Sequence, residues 1–447
     1  MRLDSDVLVR VFVVFVFLLA STGLLIPLLR QQGGAVTDVS AGDPVTQVIW
    51  LGVYAATFLL ITLRWRQFVA VVTGDKLLLL LVAIVVLSVL WSAAPETTLR
   101  RAVALVGTTA FGAYLATRYT LGGQLRLLAS ALGIAAVLSL AFGIALPSYG
   151  ISSDPLFLGD WQGIYNHKNA LGSDMALAAI VFLILARGGG GRRWLFWGGF
   201  VLAVGLILLS DSRSALTVLL ALMALWPVYR SLRWRYTLAL PFLILAVLLG
   251  AGVATWLVSN AEIVLGALGR DITLSGRTEL WSLVWDKIQE RPLLGYGYSG
   301  FWLGLEGESA SIWLATGSEV PAADNGFLDL WLNVGLLGVA VFVAEFSAAF
   351  LRAAAWVRVG RSSEEIWPCI FLTFVLLYSV SESVFLRQNS TLWILYVSTV
   401  LSATPRNAPT DEEIARTGRA GPGPTHEPLR AGTSGRTAGP MLGGARR

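Results

Sequence analysis

Four short stretches carry residue types suited to group transfer: GIYNHKN (163–169), SDSRS (210–214), LSGRT (274–278) and ADNGFLD (323–329), with Glu382 and Arg387 further along. His167 is one of two histidines in the chain. It stands beside Asn166, Lys168 and Asn169 at the start of an apolar run, where the backbone N–H groups of a helix N-terminus favour anions. A purely structural histidine is the plain alternative. Asp211 and Arg213 occupy so short a turn that they must lie at an apolar boundary, where ionisable groups are expensive unless paired or functional. An Asp211–Arg213 pair is the simpler reading there. Arg277 opens an amphipathic helix against the helix dipole, which points to an anionic partner. Asp324, followed by Asn325, is a carboxylate able to take a proton from a hydroxyl. Its competing role is the N-cap of the helix that follows.

The elements that position these residues are membrane helices. The chain is 55% hydrophobic and only 14% charged, with a mean hydropathy of +0.69, whereas a soluble domain carries about 25% charged residues. After a first run at 7–29, read as a retained span, apolar runs centre on 47–63, 77–91, 102–117, 125–146, 170–186, 194–209, 214–229, 236–258, 326–350, 365–382 and 390–403. That makes an all-α polytopic protein of about twelve spans. Lys and Arg near the span ends set the orientation: Arg64, Arg66, Lys76, Arg118, Arg126, Arg187, Arg230, Arg233, Arg352 and Arg358 fall on one side, which is therefore cytoplasmic. Both termini share that side, and the Gly- and Pro-rich tail (404–447) is expected to be disordered. Residues 1–403 form the transmembrane domain, whose longest loop (259–325) lies outside. Within the loop, 276–289 spaces Leu280, Trp281, Val284, Trp285 and Ile288 on one helical face, expected to lie on the membrane surface.

In this topology all four stretches, with Glu382 and Arg387, meet at the outer face. Arginine forks bind phosphate oxygens bidentately, and a lipid-linked diphosphate would sit at this depth. Arg213 and Arg277, with Lys168, are therefore the candidate diphosphate ligands. A base opposite them, Asp324 or His167, would complete a glycosyl-transfer site, supported by Asn166, Asn169, Asp211, Asn325, Glu382 and Arg387. The lone cysteine, Cys369, can make no internal disulfide, and no metal-ligand cluster is expected. A lipid-linked-sugar flippase or other transporter is the alternative from another class. It should carry its charges near the bilayer midplane on repeated, broken helices.

GIYNHKNALG, SDSRSAL, SGRTELW, PLLGYGYSGFW and ADNGFLDLWLNVGLLG, in that order, resemble the O-antigen ligase/polymerase family of bacterial envelope enzymes over roughly 45–400. The resemblance implies a GT-C-like helical glycosyltransferase of the cytoplasmic membrane with its active site facing outside. It implies an undecaprenyl-diphosphate-linked oligosaccharide donor and no cofactor, catalytic metal or nucleotide sugar. The acceptor would be a glycan or lipid. Membrane lipids and other polysaccharide-assembly proteins are the expected neighbours, and nucleic acid is not. Within the family the chain is most similar to exopolysaccharide polymerases, with ligases attaching glycan to lipid or protein as the near alternative. The resemblance assigns the diphosphate to Arg213 and Arg277. Where the family commonly has His-Asn, this chain reads Asp324-Asn325, so either Asp324 replaces the histidine or His167 serves.

Overall fold

The structure is a computed structural model describing residues 5–22, 44–154, 157–188, 191, 193–235, 237–242, 244–245, 248–249, 277–360 and 362–404. Most of the span expected at 236–258, the first part of the outer loop (259–276) and the tail from 405 lie outside them. The chain orders its helices as α1 (Ser5–Thr22), α2 (Pro44–Thr62), α3 (Trp65–Val72), α4 (Lys76–Leu87), α5 (Pro95–Arg118), α6 (Leu121–Ala145) and α7 (Lys168–Arg187). There follow α8 (Arg193–Leu209), α9 (Arg213–Ser231), α10 (Arg277–Glu290), α11 (Ala310–Thr316), α12 (Gly326–Val359), α13 (Trp367–Tyr378) and α14 (Thr391–Ser402). Among the described residues the only β pairing is an isolated bridge, Ile151 to Trp161.

Among the described residues α2, α6, α7, α9 and α12 are long and apolar enough to cross a membrane, and the pair α3–α4, bent by 92°, makes a sixth candidate. The other described apolar runs fold as α1, α5, α8, α13 and α14. The chain is thus an all-helical protein with several apolar helices suited to a bilayer. α3 was not foreseen: Arg64 and Arg66 looked like parts of a turn, but the eight residues from Trp65 form a short amphipathic helix. α7 is the axis of the bundle. Its apolar window is 89% buried, and it touches α6, α8, α9 and α13.

One end of the bundle collects ion pairs of arginines expected at cytoplasmic turns. Arg118 meets Asp6, Arg126 meets Glu364 (3.5 Å), Arg233 meets Glu365 (3.5 Å) and Arg352 meets Asp75. The helix ends bearing the four candidate stretches lie at the other end, together with α10 and α11.

Two features of this second end go beyond what the sequence led one to expect. α10 does form, and most of its apolar stripe packs onto its own loop, leaving Trp285 exposed. Leu280, Val284 and Ile288 are buried in a small core with Tyr296, Phe301, Trp302, Ile312, Ala323 and Leu332. Fully burying such a side chain contributes about 1.5–3 kcal/mol, enough to hold α10 onto its own loop. Trp281 completes the attachment by donating its indole N–H to the Ala323 carbonyl (2.9 Å).

The second is a correction to α12, expected as one continuous span from 326. Gly335 breaks it, with φ 65° and ψ −173°. The PLLGYGY segment fills the break and satisfies the backbone groups it frees. Leu336 and Leu337 donate their amides to the Pro292 and Leu293 carbonyls (2.8 and 3.2 Å), and Tyr296 donates to the Leu332 carbonyl (2.7 Å). Trp331 adds an indole bond to Pro292 O (2.9 Å). The same segment reaches α4 and the last outer turn. Tyr298 donates its backbone N–H to the Ser88 hydroxyl oxygen (2.9 Å) and its own hydroxyl to Gln388 Oε1 (2.6 Å).

Gly335 and Gly295 have no room for a side chain. A Cβ on Gly335 would lie 2.2 Å from Leu293 O, and one on Gly295 would lie 2.4 Å from Leu332 O. Both have positive φ, and the Gly335 conformation is essentially reserved for glycine, costing other residues about 1–3 kcal/mol before any clash. Gly335→Ala and Gly295→Ala should each lower the thermal midpoint of the purified protein by several degrees. Gly198→Ala, in open space on α8, should be neutral or slightly stabilising. Equal midpoints for all three would remove the clamp from this account.

Candidate active site

The N-terminus of α7 is the first wall of the site. His167 caps the helix, its Nδ1 accepting the Asn169 amide (3.1 Å), and its ring meets Phe157 edge-on with centroids 5.2 Å apart. Burial, then the neighbouring Lys168 charge, push the imidazole pKa down. A neutral ring whose Nδ1 is an acceptor carries its proton on Nε2, so His167 presents a donor rather than a base. Lys168 turns away to Asp160 (2.6 Å) and lies over the Phe157 ring at 4.7 Å. Its charge is thus already met by a carboxylate. Asn166 is exposed.

Asn169 joins the stretches together. Its Nδ2 donates to Glu382 Oε1 (3.3 Å), its Oδ1 accepts from the Ser212 hydroxyl (3.3 Å), and its carbonyl accepts from the Tyr378 hydroxyl (3.2 Å). The Ser212 contact needs Gly172 opposite: a Cβ there would stand 2.5 Å from the Ser212 Cβ. The turn between α8 and α9 is thereby pressed against α7, and it presents Asp211 (φ 45°) and Arg213, both exposed.

The loop supplies the remaining charges. Arg277, the first residue of α10, pairs with Asp324 at 3.3 Å, their side chains being 24% and 45% exposed. This answers the question raised by a cation at a helix N-terminus: the anion within the chain is Asp324. The competing reading of Asp324, as the cap of α12, is overturned. Asn325 is the cap, its Oδ1 accepting from Phe327 N (3.0 Å) and Leu328 N (3.3 Å), while Asp324 stands one residue outside with φ 49°. Asp324 is therefore not needed to start the helix.

Glu382 lies on the turn between α13 and α14, and Gly326 N donates to Ser379 O (2.7 Å), docking that turn on the start of α12. Burial, and after it Asp324, push the Glu382 carboxyl up to about 7, while Arg277, Arg387 and the Asn169 bond oppose the rise. Asp324, Arg277 and Arg387 thus all act electrostatically on Glu382. Described residues of all four stretches and the last outer turn are therefore gathered at one end of the bundle, linked through Asn169 and Glu382.

Sequence reasoning missed Asp329, although it lay in a quoted motif. It is buried and accepts from Trp302 Nε1 (2.7 Å), Ala323 N (3.1 Å) and the Ser383 hydroxyl, tying the loop, the approach to α12 and the Glu382 turn to one carboxylate. The available signal was an acidic residue three positions into an apolar helix, which is costly unless fully hydrogen-bonded.

Residues 198–343, about a third of the chain, match the family described as O-antigen ligase. The matched stretch contains Arg213, Arg277, Asp324 and Gly335. The chain is also similar to the exopolysaccharide production protein ExoQ of Rhizobium meliloti (strain 1021), with 26% identity over 278 residues. That alignment takes in 59% of this chain and spans 62% of the relative's length. Together the two matches support the resemblance to the O-antigen ligase/polymerase superfamily.

Proposed function

We propose that this protein is a polysaccharide polymerase that moves oligosaccharide en bloc from an undecaprenyl-diphosphate-linked donor to an acceptor glycan. The reaction takes place at the outer face of a bacterial cytoplasmic membrane. The fold in this reading is GT-C-like with about twelve spans, the helices beyond the six long candidates being short or tilted. One observation carries the reading: Asn169 ties the arginine-bearing α8–α9 turn to a carboxylate cluster that also holds Arg277. Cations beside a proton acceptor are what transfer from a diphosphate leaving group requires.

In this mechanism Arg213 and Arg277 hold the donor diphosphate and take up the negative charge that grows as the glycosidic C–O bond breaks. The acceptor hydroxyl loses its proton to a carboxylate of the cluster, for which position in the family nominates Asp324. Arg277 must then exchange Asp324 for the diphosphate, or share itself between them. Lys168, paired with Asp160, would reach the diphosphate only by exchanging that carboxylate for it.

A ligase that hands glycan to lipid or protein is the second reading, favoured by the description of the matched family. Deleting the gene in its own host separates the two. A polymerase predicts loss of long polymer and accumulation of single lipid-linked repeat units. A ligase predicts long polymer stranded on its lipid carrier. Unchanged polymer and unchanged lipid-linked pools would contradict both.

A further inference from the structure

We infer that Glu382, rather than Asp324 or His167, is the catalytic base that takes the proton of the acceptor hydroxyl; this rests on the glycan-transfer reading above. The three candidates are distinguished by what already occupies them. Asp324 is held by Arg277 at 3.3 Å and is half open to solvent, so its lone pairs face a guanidinium and water. His167 uses its Nδ1 lone pair on the Asn169 amide and presents an N–H at the other nitrogen. Glu382 has only Oε1 bound, by the Asn169 amide, and among the described residues Oε2 accepts no hydrogen bond from the protein. Its mount is also firm. Glu382 N donates to Tyr378 O (3.0 Å), Gly326 N holds Ser379 O, and Ser383 is bonded to Asp329.

The charged and titratable groups facing Glu382 are Asp324 and Arg277 from the loop, Arg387 on its own turn and the Tyr378 phenol at the end of α13. Partial burial places its pKa near neutrality, where a general base is most effective. In the step, a lone pair of the acceptor oxygen forms the new bond to the anomeric carbon as the hydroxyl proton passes to Glu382 Oε2. The bond from that carbon to the diphosphate oxygen breaks, and its electron pair leaves with the diphosphate beside the arginines. Glu382 is left neutral and later returns the proton to water. Asp324 becomes the resting partner of Arg277, keeping that guanidinium in place between turnovers.

The test uses the full-length protein in lipid vesicles, lipid-linked glycan extracted from the cells that make the chain, and inorganic pyrophosphate as a competing probe. The wild type should lose kcat/KM below about pH 7 with unit slope. Glu382→Gln keeps an acceptor for the Asn169 amide and should lose about 10²- to 10⁴-fold in rate, with pyrophosphate inhibition unchanged. Its residual rate should lack the acid limb, and Glu382→Asp should restore measurable turnover with an acid limb. Should Glu382→Gln fail to reach the membrane, Asn169→Asp carries the test. A second carboxylate beside Glu382 must move the acid limb to higher pH, and an unmoved limb overturns the inference. It is also overturned if Glu382→Gln transfers at the wild-type rate while Asp324→Asn is dead, and the transfer reading then stands with Asp324 as base. A wild type that moves no glycan and is indifferent to pyrophosphate brings down the transfer reading, and this inference with it.

Discussion

Arg213→Ala and Arg277→Ala should each cut glycan transfer by at least about 30- to 150-fold while leaving folded protein in the membrane. The figure corresponds to losing a charge-assisted, two-pronged contact to phosphate, about 2–3 kcal/mol at a partly desolvated site. Folding should survive because neither side chain carries much of the fold. Arg213 is exposed at the first turn of α9, and the Arg277–Asp324 pair is open enough to water to contribute little stability. Lysine replacements should rescue poorly, since an ammonium cannot reproduce the planar fork. Single-turnover rates with lipid-linked donor, set beside membrane yield and thermal midpoint, give the answer. Wild-type turnover in the lysine variants would mean that bidentate diphosphate binding is the wrong role for that arginine.

Asn169→Ala should have the next largest effect among the residues outside the proposed chemistry. It removes the amide that orients Glu382 and the acceptor that holds the Ser212 hydroxyl, so the carboxylate and the Arg213-bearing turn lose their common tether. Each lost bond is worth about 0.5–1.5 kcal/mol, more where a partner is left buried and unsatisfied, so a 10- to 100-fold fall in kcat is expected. Losing the amide donor also removes an influence that opposes the rise in the Glu382 pKa, so the acid limb of the rate should move to higher pH. A fall in stability with kcat and pH profile unchanged would reduce Asn169 to a structural residue.

The sequence made the bundle legible because lipid leaves so little choice. Apolar runs of span length fold as helices, and in the described regions their centres fall where hydropathy put them. What it hid was set by contacts distant in the chain. The break at Gly335 is invisible in an apolar run because glycine is tolerated in membrane helices, and the cause lies some forty residues earlier in the PLLGYGY segment. The apolar stripe of α10 was readable, but lipid and a buried loop core demand the same pattern. Asp324 and Asn325 are both good caps by type, and only backbone geometry decides that Asn325 takes the role. At the site, Arg277, Asp324, Lys168 and Glu382 were named from sequence, but Asp160 and Asp329 were not. The pairing was not legible: Arg277 with Asp324, Lys168 with Asp160 and Asn169 with Glu382 all depend on how α7, the loop and the last turn converge.

The central claim is best tested by giving the purified, vesicle-embedded protein a diphosphate-linked glycan donor with no nucleotide sugar present, and following both products by mass spectrometry. Glycan chains should lengthen by whole oligosaccharide units with one polyprenyl diphosphate released per transfer, and both products should be lost together in Arg277→Ala. Intact donor, single-sugar increments, or glycan extension that persists without release of the diphosphate lipid would contradict the claim.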